Sequence, residues 1–268
     1  MTILLVGDVV GKSGRRCLRE HLPRLRAVFN LALVVVNGEN ASSGVGLTPA
    51  TTDEIFAMGA DVVTSGNHIW RHKEILPYLS QERRLLRPRN YPPGVPGFGF
   101  GVFRVGGARV GVLNLQGRVF MEAVDCPFRV ADDLLREVHL ARDVEALVVD
   151  FHAEASSEKM AMGWHLDGRV SAVLGTHTHV PTADHRILPR GTGYQTDVGM
   201  SGCYESVIGM KVETALPRFL TQLPTRFEPA GGPGTLAGTV VRVDPATGRC
   251  REIIPVRVGG VLAPTPSP

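Results

Sequence analysis

A layered α/β fold is what the sequence predicts, from short apolar runs without polar alternation, helical patterns between them, and polar turns at their ends. The first run, residues 2–6, leads to Gly7-Asp8. Behind it Leu18, Leu22, Leu25 and Phe29 share one helical face, with Pro23 expected to kink or split the helix. The second run, residues 31–36, leads to Asn37-Gly38-Glu39-Asn40. Thr48 and Pro49 supply an N-cap and a first-turn proline, Ile55 and Met58 share a face, and Gly59 ends that helix. Residues 62–64 form the third run and lead to Ser65-Gly66-Asn67-His68. Later runs over 109–115, 146–149 and 170–174 lead to Gln116-Gly117, Asp150-Phe151-His152 and Gly175-Thr176-His177. Val130, Leu134 and Val138 mark a helix between the first two of these. Unbroken runs of β-branched residues and Leu suit strands buried on both faces. Beyond Gly191, strands are expected over 195–199, 238–243 and 251–256, the last two joined by Asp244-Pro245-Ala246-Thr247-Gly248 as an antiparallel hairpin. No repeat or linker interrupts the pattern, so residues 1–260 are expected to form one domain and 261–268 a frayed tail.

Composition narrows the class. A chain of 268 residues buries enough surface, about 75% of the unfolded total, to need no disulfides. Hydrophobic residues make up 43% and charged residues 21%, which is ordinary globular usage. The net charge of +3 is too small for a stable nucleic-acid complex. The longest aliphatic run, 31–36, falls far short of the ~20 residues that cross a bilayer, and no membrane association is expected. Met1 to Asp8 contains no basic leader, so no signal peptide is expected. Cys17, Cys126, Cys203 and Cys250 form no C-x-x-C pair and read as reduced thiols of a cytoplasmic protein. A homo-oligomer is left open.

The chemistry lies at the ends of the runs. Asp8, Glu39, Asn40, Asn67, His68, His152, His177 and His179 come after five of them, and the carboxyl ends of strands line the ligand crevice of α/β sheets. Alone, Asp8 serves as a helix N-cap, Asn67 as a turn residue and His152 as a satisfied core histidine. Together they aim carboxylates, amides and imidazoles at one region. His177 and His179 are two apart, so an extended chain points both the same way. The mixed N/O set suits iron, manganese or zinc alike. Seven donors, all but His68, exceed one tetrahedral zinc and match two ions sharing a bridge. Two ions about 3.5–4 Å apart form the clamp used for in-line displacement at phosphorus. They carry more positive charge than Asp8 and Glu39 return, so the site attracts phosphate. A competing motif, Gly7-Asp8-Val9-Val10-Gly11-Lys12-Ser13, fails as a phosphate loop because Val6 stands where the first glycine is required. Gly11 and Gly14 then serve the strand–helix turn, and Lys12 is solvated or faces phosphate.

The set Gly7-Asp8, Gly38-Glu39-Asn40, Gly66-Asn67-His68, His152 and Gly175-Thr176-His177-Thr178-His179 resembles the calcineurin-like metallophosphoesterases. It departs from their common pattern at Val10, where a histidine is usual, at Glu39-Asn40 and at Ile69. Those departures match the YmdB-like phosphodiesterase branch. So do residues 36–41, 114–121, 150–155 and 196–200, and the likeness runs from residue 1 to about 257. The resemblance implies a four-layer α/β/β/α sandwich with a two-iron (Fe2+/Fe3+) site, manganese or zinc being the other candidates. It puts Asp8, Glu39, Asn40 and His179 on one ion, and Glu39 (bridging), Asn67, His152 and His177 on the other. It implies hydrolysis of 2′,3′-cyclic nucleotides at the 2′ bond to 3′-nucleotides, with metal-activated hydroxide as nucleophile and His68 as general acid. The residues agree on His68: a ribose alkoxide leaves poorly unless protonated, and such help is worth about 10²–10⁴-fold. Asp150 is expected to orient His152 or to be a solvated acid, and Asn114 and Arg118 to contact phosphate or base or to serve the fold. The competing class is a regulatory protein whose metal site is intact and which acts through partner binding in RNA turnover or signalling.

Overall fold

The structure, a computed structural model, describes residues 1–265. The chain opens with β1 (Thr2–Val6), α1 (Gly11–Phe29), β2 (Leu33–Asn37), α2 (Pro49–Ala57), β3 (Val62–Thr64), α3 (Ile75–Gln81) and β4 (Leu85–Leu86). It continues through β5 (Phe100–Val105), β6 (Ala108–Gln116), α4 (Pro127–Glu137), β7 (Ala146–His152), α5 (Ser156–Leu166) and β8 (Ala172–Thr176). β9 (Arg186–Ile187), β10 (Gly193–Gln195), α6 (Val212–Thr221), β11 (Leu236–Val243) and β12 (Cys250–Val258) complete it. Two six-stranded sheets result, ordered β12-β11-β1-β2-β3-β4 and β5-β6-β7-β8-β10-β9. No described helix is long and apolar enough to cross a membrane.

Three apolar layers explain the unalternating runs. Leu4, Val6, Val34 and Val36 pack on Leu18, Leu22, Leu25 and Phe29 of α1. Their neighbours Ile3, Leu5, Leu33 and Val35 point the other way, onto Val110, Val112, Val148 and Ala172 of the second sheet. The far face of that sheet, with Leu113, Leu147 and Val149, is covered by Ala131 and Leu134 of α4 and Met162 and Leu166 of α5. Each central strand has apolar matter on both sides, and so the order is α/β/β/α. Burying one such side chain fully stabilises the fold by about 1.5–3 kcal/mol.

Local signals acted as expected in several places. Thr48 caps α2 with a reciprocal Thr48–Thr51 capping box, and Pro49 occupies its first turn. β11 and β12 form the antiparallel hairpin, with a register shift at Arg242/Val243. Gly11 (φ 56) opens α1, and a Cβ at Gly14 would lie 2.3 Å from the Ser201 carbonyl oxygen.

Two expectations are corrected. Pro23 does not split α1, which runs unbroken over 19 residues. Pro23 and Arg19, whose carbonyl loses its helical donor, both lie on the exposed face, so the loss falls on the solvent side while the apolar stripe stays intact. The strand expected over 195–199 is instead β10, ending at Gln195. Asp197 turns the chain out of the sheet by accepting from the amide of Gly199, two residues on, at 2.8 Å. Of the expected tail, 266–268 lie outside the described residues, and Thr265 N–H donates to Arg257 O at 3.1 Å.

Candidate metal centre

Parallel strands bring the polar turns to one edge. β1, β2 and β3 run parallel in the first sheet, and β6, β7 and β8 in the second. Asp8, Glu39-Asn40 and Asn67-His68 follow the first three, while His152 ends β7 and His177 follows β8. The cluster therefore straddles two facing sheets rather than a crevice within one.

Glu39 is buried and anchored to the third loop: its carboxylate accepts from the Gly66 amide and, at 2.6 Å, from the His68 amide. Its Oε1 lies 3.7 Å from His152 Nε2 and 3.2 Å from His68 Nδ1. Asp8 Oδ2 accepts from the His177 amide at 3.0 Å. Asp8 Oδ1 is buried without a hydrogen-bond partner, 3.7 Å from His152 Nδ1 and 3.8 Å from His179 Nε2. His152 Nε2 also lies 3.0 Å from His177 Nδ1 and 3.2 Å from Asn67 Oδ1. Asn40 bridges two histidines, Nδ2 to His179 Nε2 at 3.1 Å and Oδ1 to His68 Nδ1 at 3.0 Å. All eight predicted residues thus stand within one chain of contacts.

The histidines get there by an unexpected route. His177 (φ 95) and His179 (φ 68) both have left-handed backbone, so the segment is a tight turn and not the extended chain expected. For side chains with a Cβ this conformation is strained, and such strain gathers at functional sites.

Hydrogen bonds outside the cluster set the imidazoles. Thr176 Oγ1 donates to Asp150 Oδ1 at 2.7 Å and meets His152 Nδ1 at 3.0 Å. Its proton being spent on Asp150, it accepts from His152 Nδ1–H, which leaves the Nε2 lone pair facing the cluster. Likewise His179 Nδ1 faces the Ile208 carbonyl at 2.8 Å, and His177 Nε2 lies 3.1 Å from Glu154 Oε2. Asp150, fully buried, also accepts from Thr64 Oγ1 and Asn37 Nδ2. It orients His152 through Thr176 and is not a solvated acid. Asn114 is buried against Ser65 and the Asp150 carbonyl, and Arg118 is exposed with its amide on Glu158, so neither meets the cluster. Sequence reasoning misses Thr176 and Glu154, whose only signal is proximity in the chain to His177 and His152, and Asp197, which lies near no candidate donor in the chain.

Electrostatics favour a cation here. Burial, then the charges of Asp197 and Glu39, push the Asp8 carboxyl up to about 8. Burial, then the neighbouring His179 and Lys159, brings His177 down to about 4, and burial lowers His152 and His179 as well. Burial pulls on His68 too, but the hydrogen bond and charge of Glu39 outweigh it and raise its pKa. Neutral imidazoles beside a destabilised carboxylate are a ligand set short of positive charge. Among the described residues no group of three or more His, Cys, Asp or Glu side chains is placed to hold a metal ion by itself; the Asn40 amide stands between His68 and His179, and Asn67 Oδ1 faces His152 Nε2. The unpartnered Asp8 Oδ1 and the inward lone pairs fit transition ions.

Two facing sheets flanked by helices, with this donor set at the strand ends, make the architecture that of a metallophosphoesterase. The chain belongs to the YmdB-like family, whose model, described as YmdB-like protein, matches residues 4–256. It is 47% identical over 253 residues to the 2′,3′-cyclic-nucleotide 2′-phosphodiesterase of Bacillus subtilis, covering 94% of this chain and 95% of that one. A Thermus thermophilus hypothetical protein of known crystal structure superposes with a TM-score of 0.91 at 46% identity, covering 97% of this chain and all of that one. A Mycoplasma pneumoniae structure described as a novel phosphatase gives 0.91 at 34% identity, covering 97% and 93%.

Proposed function

We propose that this chain hydrolyses 2′,3′-cyclic nucleotides at the 2′ bond, leaving 3′-nucleotides, at a centre of two transition ions. The observation that carries this reading is the unpartnered Asp8 Oδ1 among His152, His179 and the Glu39 carboxylate. Asp8, Glu39, Asn40 and His179 would hold one ion and Glu39, Asn67, His152 and His177 the other, iron being the first candidate and manganese or zinc chemically acceptable. Bound ions supply positive charge for the phosphoryl oxygens and a water of lowered pKa. The remainder falls to the chain. Asp150 through Thr176, Glu154 and the Ile208 carbonyl fix the three imidazole rings. His68 Nδ1 is held by Asn40 and Glu39, so the proton it can give is the one on Nε2, and the residue lines a cavity of about 300 Å³ with His177, His179, Ile208 and Phe219. As the P–O2′ bond breaks, the leaving ribose oxygen takes that proton. The hydrogen bond and charge of Glu39 raise the pKa of His68, which favours the proton-carrying form. Four free cysteines suit a reducing, cytoplasmic compartment.

The test is leaving-group dependence. His68→Ala should keep its ions yet slow cyclic-nucleotide turnover by about 10²–10⁴-fold. With bis-p-nitrophenyl phosphate, whose leaving group needs little protonation, the loss should be far smaller. Equal losses on both substrates would remove His68 as the acid.

A further inference from the structure

Behind the two-histidine turn lies a charged pair that the proposed chemistry does not use. Lys159 on α5 and Asp197 after β10 are 1% and 0% exposed, with Nζ and Oδ2 2.7 Å apart. Burying two charges is costly, and a buried pair is weak grounds for stability, since apolar replacements often serve as well. What this pair holds is specific. Asp197 Oδ2 also accepts from Thr178 Oγ1 at 2.7 Å and Thr178 N at 3.1 Å, and Oδ1 accepts from Gly199 N at 2.8 Å. Thr178 is the residue between His177 and His179, the two that adopt left-handed backbone. On the far side Met200 N and Tyr204 Oη donate to the His179 carbonyl at 3.1 and 3.2 Å.

We infer that Asp197, neutralised by Lys159, is a positioning residue: through Thr178 it holds the His177–His179 turn in its strained conformation, so that both rings are in place before ions arrive. Lys159 approaches the same strand end, its Cδ 3.0 Å from where a Cβ on Gly175 would stand. Released from Thr178, the turn is free to relax toward backbone without positive φ, which would carry the two rings apart. The inference rests on the metal-centre reading above.

Chelator-stripped protein titrated with Mn2+ in a calorimeter tests it. Thr178→Val removes the hydroxyl donor and keeps the shape; it should bind Mn2+ about 10–100-fold more weakly, with the Tm of the ion-free protein unchanged. Thr178→Ser keeps the hydroxyl donor and should bind Mn2+ as the natural chain does. Wild-type affinity in Thr178→Val overturns the inference. Equal weakening in both variants overturns it too, because altering the side chain at position 178, rather than losing its hydroxyl donor, would then be responsible. A natural chain that binds none of Mn2+, Fe2+ and Zn2+ defeats the metal-centre reading itself, whereas a natural chain and Thr178→Val that bind Mn2+ equally defeat the clamp alone.

Discussion

Gly66→Ala offers a sharp perturbation of the centre because it adds one methyl group and no charge. Gly66 has no positive φ, so alanine is acceptable to the backbone there. Space is the difficulty: the new Cβ would lie 2.1 Å from His152 Cδ2 and 2.3 Å from Nε2, where ordinary contact begins at 3.4 Å. The imidazole must retreat by about 1.3 Å, the difference between those contacts. It is fully buried, tied to Thr176 Oγ1 at 3.0 Å and packed edge-on against His177 with ring centroids 4.7 Å apart. Overpacking of this kind costs about 1–3 kcal/mol, and a catalytic group misplaced by ~1 Å loses on the order of 10²-fold in rate. The assay pairs ion content by mass spectrometry with turnover of 2′,3′-cyclic AMP. Gly231→Ala is the control, since its Cβ would meet nothing within 4 Å. Gly66→Ala should lose ions or rate by about 10²-fold, with Tm falling by roughly 2–4 °C for each kcal/mol. Wild-type ion content and turnover in Gly66→Ala would refute the placement of His152 at the reacting centre.

Other consequences are open to simple measurement. Leu5→Ala empties a fully buried position between the sheets and should cost about 2–5 kcal/mol in urea unfolding; a loss under 1 kcal/mol would contradict the four-layer packing. Glu145 is held at about 2, chiefly by the Arg109 guanidinium and then by the Arg109 amide. A lowered carboxyl contributes stability that is complete above its ordinary 4.5 and is lost as pH falls toward 2. Glu145→Gln should therefore flatten the fall in Tm across that window, and an unchanged acid limb would show that the pair contributes nothing.

Much of the fold was legible because burial on both faces leaves a plain mark. β1 and β3 were readable to the residue, and the β11–β12 hairpin announced itself through Asp244 to Gly248. α5 was not, since its buried face includes Glu158 and Lys159, charged residues that match no apolar stripe. The two-residue strands β4 and β9 are defined by their neighbours and carry no pattern of their own. In the cluster, donor types and their places after strands were readable, but strand order was not, so the division between two sheets stayed hidden. The His177–His179 turn imitates extended chain because positive φ in a non-glycine residue leaves no compositional trace. Asp197 and Lys159 stand 38 apart in the chain and acquire meaning only where folding joins them.

The central claim is that Asp8, Glu39, Asn40, Asn67, His152, His177 and His179 share two transition ions. A crystal of the purified protein, with anomalous-difference maps recorded at the iron, manganese and zinc edges, tests it most directly. Two peaks per chain are predicted, one between Asp8 and His179 and one between His152 and His177, with the Glu39 carboxylate between them. A purified, active enzyme whose maps show no peak there, or a single ion held by other residues, would contradict it.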